Sequence, residues 1–301
     1  MRTVIALGGN AIASDGDVTV AQQRARIGAL ADAVGELAER GDELLFTHGN
    51  GPQVGQLLLQ QSRADAPERP LDVLVAETQA QIGYLVADQL ESAVDGRVTT
   101  VVTRVRVDPA DPAFEDPTKP IGPYYTESEA AEQSFETGPV TKPTGESAYR
   151  RLVPSPEPTA VLEIDEIRGL VADGVTVVCG GGGGVPVVGD GACEGVEAVV
   201  DKDHTSRLVA SAVDADCLVM ATHVEYAYRN FGTDDEEPIR ETDAASLRRA
   251  LEAGEFAAGS MRPKVAACLR FLDAGGDRAV ITTPDSIAAA VDGDAGTQIR
   301  P

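Results

Sequence analysis

Three times in this chain a short run of strand-like residues ends in a glycine-bearing turn, and after the first two helical spacing takes over. That recurrence limits the fold more than any other feature. Residues 3–7 lead into Gly8, Gly9 and Asn10; residues 43–47 lead into Gly49, Asn50 and Gly51; residues 176–179 lead into the run 180–184. After the first turn Ile27, Leu30, Ala31, Val34, Leu37 and Ala38 repeat at a helix period until Gly41 stops them. After the second, Pro52 stands at the first position of a predicted helix, where its missing N–H is one of the orphans anyway. A longer helix is expected over 71–93 and a Val- and Thr-rich strand over 97–107. Further along, the pattern predicts a helix over 162–172 and strands over 176–179, 198–200, 218–222 and 279–282. Strands and helices in alternation predict an α/β protein, a three-layer αβα sandwich around an open, mostly parallel central sheet.

The alternation breaks between 108 and 158, a segment with ten prolines and no sustained period. A structureless loop of that length does not belong inside a compact domain, so a protruding subdomain is expected there. The expected division is an N-terminal lobe, 1–175, carrying this arm, and a C-terminal lobe, 176–301.

Charge narrows the partners. The 301 residues include 49 acidic against 25 basic, a net charge of −24 spread along the chain, which argues against nucleic acid or an anionic membrane surface. No apolar run approaches the roughly 20 residues a membrane helix needs, and the opening MRTVIALGGNAIAS meets glycine too soon for a signal peptide. Cysteines 179, 193, 217 and 268 have no paired spacing and read as reduced thiols of a cytoplasmic protein, with Cys179 and Cys217 as small core residues. Dispersed acid with scarce lysine matches proteins that work in concentrated salt, and a halophilic host is expected.

Glycine turns beyond strand ends let backbone N–H groups approach an anion. The chain contains no GxxxxGK[ST] and no GxGxxG after its first strand, so cationic side chains must come from elsewhere. Lysine is rare here: Lys119, Lys142, Lys202 and Lys264 are the four among the 25 basic residues. A chain that otherwise writes arginine keeps lysine where a compact ammonium is needed, as around a transferring phosphoryl group. Lys202, in VVDKDHTSRL, opens a helix; Lys264, in GSMRPKV, stands at a helix start; Lys142 lies in the arm. Asp203 can hold two of these ammoniums in register, since a carboxylate accepts from several donors, while Asp201 ends a strand. Lys119, between prolines, reads as a loop residue paired with nearby acids. His48 reads as a core histidine bonded to backbone, and His204 and His223 have no partners at metal-ligand spacing.

The blocks ALGGNAI, THGNGPQVGQLLLQQ, VDPADPAF with PTKPIGP, VPSPEP, CGGGGGVPVVG, GVEAVVDKD and GSMRPKV together resemble carbamate kinase, of the amino acid kinase superfamily, from residue 4 to about 283. The resemblance implies reversible phosphoryl transfer between ATP and carbamate with Mg²⁺, giving ADP and carbamoyl phosphate, in a homodimer of the same three-layer fold. It implies that Gly8, Gly9, Asn10, Gly49, Asn50 and Gly51 cradle the carbamoyl phosphate side. Lys202 and Lys264 would stabilise the phosphoryl group, Asp203 would orient them, and Lys142 would reach in from the arm. The nucleotide would lie near Thr222, Val224, Tyr226, Tyr228, Met261 and Pro263, with Gly181, Gly182 and Gly183 approaching its phosphates. The segment 143–149 departs from the family's usual wording between the arm lysine and Arg150-Arg151. Two other readings differ in chemistry: an amino acid kinase with another acceptor, and a sensor that binds without turnover.

Overall fold

A computed structural model describes residues 1–12, 19–65, 67–94, 96–142, 144–257 and 261–301, with only the backbone of Asn10 and Ala11. The N-terminal part runs β1 (Arg2–Leu7), α1 (Gly9–Ile12), α2 (Val20–Glu39), β2 (Glu43–His48), α3 (Gly51–Gln61), α4 (Leu71–Leu90), β3 (Val98–Thr100) and β4 (Arg104–Val107). The arm contributes β5 (Lys119–Tyr125), α5 (Glu127–Ala131), β6 (Thr137–Thr141) and β7 (Ser147–Val153), and β8 (Pro158–Val161) leads back to α6 (Ile164–Ala172). Then follow β9 (Thr176–Val178), β10 (Val185–Val188), β11 (Glu194–Gly195), α7 (Lys202–Ala212), β12 (Cys217–Ala221), β13 (Ala227–Arg229), β14 (Glu237–Ile239) and β15 (Glu241–Asp243). The chain closes with α8 (Ala244–Glu252), α9 (Met261–Asp273), β16 (Arg278–Thr282), α10 (Ile287–Asp292) and β17 (Thr297–Arg300).

Among the described residues the main sheet has the order β15-β17-β16-β12-β1-β2-β9-β3, parallel throughout except where β16 meets β17. Its central strands are apolar on both faces, as a parallel sheet covered by helices requires. Val4 and Ala6 of β1 face a core shared with α6, α7 and α9, while Ile5 and Leu7 face one shared with α2, α4 and α10. This is the expected three-layer sandwich. Of the helix-period residues, Ile27, Leu30, Ala31, Val34 and Leu37 are all buried against the sheet.

The structure refines three sequence expectations. The strand expected over 97–107 is two strands, β3 and β4, separated by a short crossing. β3 edges the main sheet and β4 joins a second sheet, β11-β10-β4-β8. The segment 198–200 is not a strand of any sheet: the Val199 N–H donates to Pro154 O (3.0 Å), and Val200 O lies where a side chain on Gly183 would have to go. The arm is a three-stranded antiparallel sheet, β5-β7-β6, packed through Ile121 and Val153 against Val54 of α3 and Leu71 and Val75 of α4. No helix among the described residues is long and apolar enough to cross a membrane.

Candidate active site

Helix α7 begins at the lysine that the sequence singles out. Asp201 is its N-cap, extended at φ −70° and ψ 124°, and its Oδ1 accepts from the Asp203 N–H at 3.0 Å. That cap turns Lys202 and Asp203 into the first helical turn, with Asp203 only 2% exposed. Asp203 then receives two ammoniums: Lys202 Nζ donates to Oδ1, and Lys264 Nζ, from the first turn of α9, donates to Oδ2 at 3.2 Å. A third lysine arrives from the arm. Lys119 Nζ, at the start of β5, lies 3.0 Å from Asp201 Oδ2.

Three lysines from three distant segments therefore meet two neighbouring aspartates. Burial of Asp201 would raise its pKa, but Lys119, the Asp203 N–H and Lys202 outweigh it and hold the carboxyl well below its usual range. The ion pairs lie at one side of a cavity of about 610 Å³. Gly9, Gly49, Asn50 and Gly51 form another side, with Gly51 and Pro52 opening α3 onto the space. Gln56 and Leu59 of α3, residues 119–124 of β5 and Arg150 of β7 complete the wall. Gly49 is a glycine because the two turns touch: a Cβ there would lie 2.8 Å from Gly9 N. The combination of oriented N–H groups at a helix start and convergent ammoniums suits a phosphorylated anion.

Residues 1–283 match the amino acid kinase family. The chain is 50% identical over 301 residues to the carbamate kinase of Halobacterium salinarum, covering 99% of this chain and 98% of that protein. It is 41% identical over 311 residues to the carbamate kinase of Pyrococcus furiosus, covering 100% of this chain and 99% of that one. The solved structure of the Giardia lamblia carbamate kinase bound to AMP-PNP superposes with a TM-score of 0.89 at 34% identity, over 99% of this chain and 98% of the other. The chain belongs to the amino acid kinase family.

Within this amino acid kinase, the positions nominated from sequence divide into those that meet and those that do not. Lys202, Asp203, Lys264, Gly9, Gly49, Asn50 and Gly51 share the large cavity. Gly8 is beside it, with its N–H on Ala221 O (3.0 Å), and the side chain of Asn10 lies outside the described residues. Lys142 is elsewhere: it follows β6 in the arm and its Nζ donates to Glu146 Oε2 at 3.0 Å. Lys119, read from sequence as a loop residue, occupies the cavity wall that Lys142 was expected to reach. Asp201, read as a strand end, is the helix cap and the partner of Lys119.

Of the glycine run, only Gly182 reaches the cavity. Its φ is +63°, and a Cβ there would lie 2.1 Å from Asn50 Nδ2. Gly183, at φ +88°, would place a Cβ 2.1 Å from Val200 O, and Gly181 packs against the His48 ring. The run is thus a spacer that lets β9, α7 and the Gly49 turn approach one another. His48 is buried and its pKa falls to about 4, through burial and then the nearby Lys202 charge, so the ring is neutral and Nδ1–H donates to Gly49 O at 3.1 Å. It is the backbone-bonded core histidine the sequence suggested.

Four of the nominated nucleotide residues, Thr222, Val224, Tyr228 and Met261, line a second, smaller cavity of about 40 Å³. Phe231 and Phe256, which the sequence reading missed, line it too. Tyr226 is buried beside it, under the Arg240 guanidinium (4.6 Å to the ring centre) and edge-on to Tyr228 at 6.2 Å. Met261, Pro263 and Lys264 belong to the first turn of α9. Met261 borders the small cavity and Lys264 the large one, so this single turn joins the two.

Proposed function

We propose that the protein is a carbamate kinase, moving a phosphoryl group between ATP and carbamate so that the γ-phosphate P–O bond to ADP breaks as a bond to a carbamate oxygen forms. The observation that carries this is the pairing of Lys202 and Lys264 on the buried Asp203, facing a glycine-lined cavity beneath the start of α3. Catalysis of phosphoryl transfer is positioning and charge stabilisation, which fixed ammoniums supply. Asp203 keeps the two compact charges a fixed distance apart, and Lys119 adds a third from the arm, the role that sequence resemblance had suggested for Lys142. The acceptor is already an anion, so no general base is demanded, in keeping with a buried neutral His48. Backbone N–H groups at Gly9 and Gly51 support the carbamoyl phosphate side, while the Gly49 N–H is held by Leu7 O at 3.0 Å. ATP or ADP would occupy the C-terminal lobe, 176–301, with its base at the small cavity and its terminal phosphate at the α9 turn, leaving the acceptor to the lobe formed by 1–175.

Mg²⁺ belongs to the same reading. Among the described residues no group of three His, Cys, Asp or Glu side chains is placed to hold a metal, and the two cavity carboxylates already receive lysines. The donor set does not fit a protein-built metal cage, so the ion would be carried by the nucleotide phosphates. A cytoplasmic, salt-adapted homodimer completes the proposal. Its supports are the net charge of −24 and the exposed Val73 and Tyr84, three turns apart on α4. The deciding experiment is a coupled assay for ATP from ADP and carbamoyl phosphate at molar potassium chloride, with Mg²⁺ present. Pure protein that forms no ATP under those conditions refutes the proposal.

A further inference from the structure

The segment that leads into Lys202 is fastened to the arm at every second residue. Glu197 Oε2 accepts from Arg151 Nη2 of β7 at 2.9 Å, the Val199 N–H donates to Pro154 O at 3.0 Å, and Asp201 Oδ2 accepts from Lys119 Nζ of β5 at 3.0 Å. Ala198 and Val200, between them, are buried. The arm matches this spacing. β5 and β7 pair antiparallel with Lys119 opposite Val153 and Ile121 opposite Arg151, so these four residues share one face of the arm sheet, with the two cations at diagonal corners. Ile121 and Val153, at the other two corners, belong to the apolar cluster against which Val199 packs. Acid, valine and acid along 197–201 therefore meet cation, apolar pair and cation across the arm. Glu197 also has a partner in the core. Its Oε1 accepts from the Leu71 N–H at 2.7 Å, one of the orphan donors at the start of α4, where Pro70 provides no side-chain cap. One carboxylate thus joins the arm to the helix layer, five residues before Lys202.

We propose that Glu197 and Arg151 are positioning residues for Lys119: their ion pair sets the register in which the arm lies on 197–201, and so holds the Lys119 ammonium at the cavity wall beside Asp201. This inference rests on the carbamate kinase reading above, in which Lys119 adds a charge to the phosphoryl site. Neither Glu197 nor Arg151 lines the cavity, so both act through Lys119 and not on the ligand. The Arg151 and Glu197 side chains are 25% and 49% exposed, and a pair that open to solvent adds little to overall stability. Its effect is geometric. Misplacing a group by about 1 Å at a reacting centre costs on the order of a hundredfold in rate, so a contact that is weak as a stabiliser still matters as a guide.

The test is a double-mutant cycle on the full chain, read as steady-state kinetics in the ATP-forming direction at molar potassium chloride. Glu197→Gln keeps an oxygen for the Leu71 N–H but removes the charge that draws Arg151. It is expected to lower kcat/KM for carbamoyl phosphate by about fivefold or more while KM for ADP stays within about twofold. Arg151→Met gives a loss of the same size, and Arg151→Lys, which keeps the charge, a smaller one. In the slower Lys119→Ala background Glu197→Gln changes kcat/KM by less than about twofold, because an interaction that acts through Lys119 is already lost there. A Glu197→Gln protein within about twofold of wild type, a loss of equal size with and without Lys119, or an equal rise in KM for ADP overturns the assignment. Should Glu197→Gln fail to fold, Arg151→Met carries the same cycle. Wild-type protein without turnover refutes the kinase reading and this inference with it, whereas active wild type with additive losses refutes only this inference.

Discussion

Asp203→Asn is the sharpest single perturbation of this site, because it preserves shape and removes only the charge that two lysines share. Asp203 is 2% exposed, and the side chains of Lys202 and Lys264 are 10% and 13% exposed. Removing one partner of a buried ion pair costs roughly 3–5 kcal/mol, because the other charge is left uncompensated. Here two ammoniums lose the carboxylate charge they share, but each keeps a little solvent and both sit beside a solvated cavity, so a loss of about 2–3 kcal/mol in unfolding free energy is expected. The catalytic effect is larger. Without the carboxylate the two ammoniums repel and swing apart, and misplacing preorganised charge of this kind costs on the order of 10²–10³ in kcat for each donor affected. Denaturant unfolding in high salt reads the first number, and the coupled ATP assay reads the second. A variant that unfolds at the wild-type denaturant midpoint, or that keeps kcat within about threefold of wild type, refutes the view that Asp203 organises both lysines.

Lys202→Arg preserves charge but replaces a compact ammonium with a broad fork in a site packed against Asp203; kcat should fall by about a hundredfold, whereas a surface cation would tolerate the change. Between the arm lysines, Lys119→Ala should lower kcat/KM by about a hundredfold and Lys142→Ala by no more than a fewfold, and the reverse order would return the arm role to Lys142. His48 has a folded-state pKa of about 4, below its ordinary value near 6.5. The unfolded chain therefore binds the extra proton first, and stability present at neutral pH is lost as pH falls from about 6.5 to about 4, by up to about 3 kcal/mol. Unfolding free energy measured across that window should lose this slope in His48→Asn, and an unchanged slope would show that His48 is not its source.

Much of this architecture was legible because its signals are local. A short, largely apolar run that leads to glycine reads correctly at β1, β2 and β9, since a parallel strand buried on both faces needs no alternation to betray it. Lys202 and Lys264 were legible through scarcity, and the shared role of Asp203 followed from how many donors a carboxylate accepts. Lys119 was not, because its partner Asp201 is 82 residues away and two flanking residues, Thr118 and Pro120, say loop. The prolines of the arm misled in the same way. Pro120 and Pro123 of β5 and Pro139 of β6 lie on the two edge strands, and the central strand β7 carries none. A sheet with proline only at its edges keeps its ladder, yet in sequence it looks irregular. The bulge that sets Gly122, Pro123 and Tyr124 against Arg150 depends on the register between β5 and β7, which no spacing within either strand reveals.

The opposition between the whole chain and its site then has an electrostatic sense. A surface at −24 repels the anions that the proposed site would receive, and within the cavity wall Lys119, Lys202, Lys264 and Arg150 outnumber Asp201 and Asp203. In molar salt the screening length shrinks to about 3 Å, so surface repulsion fades within a water layer while contacts at hydrogen-bond distance survive. Scattered surface acid is then compatible with anion binding provided the cations touch the ligand directly. That condition favours lysines and arginines anchored in a cavity over a diffuse basic rim. On the proposal of a salt-adapted protein, the same condition accounts for lysine at Lys202 and Lys264 in an arginine-using chain: under such screening, attraction at a distance contributes little, and what distinguishes one cation from another is the shape of the contact.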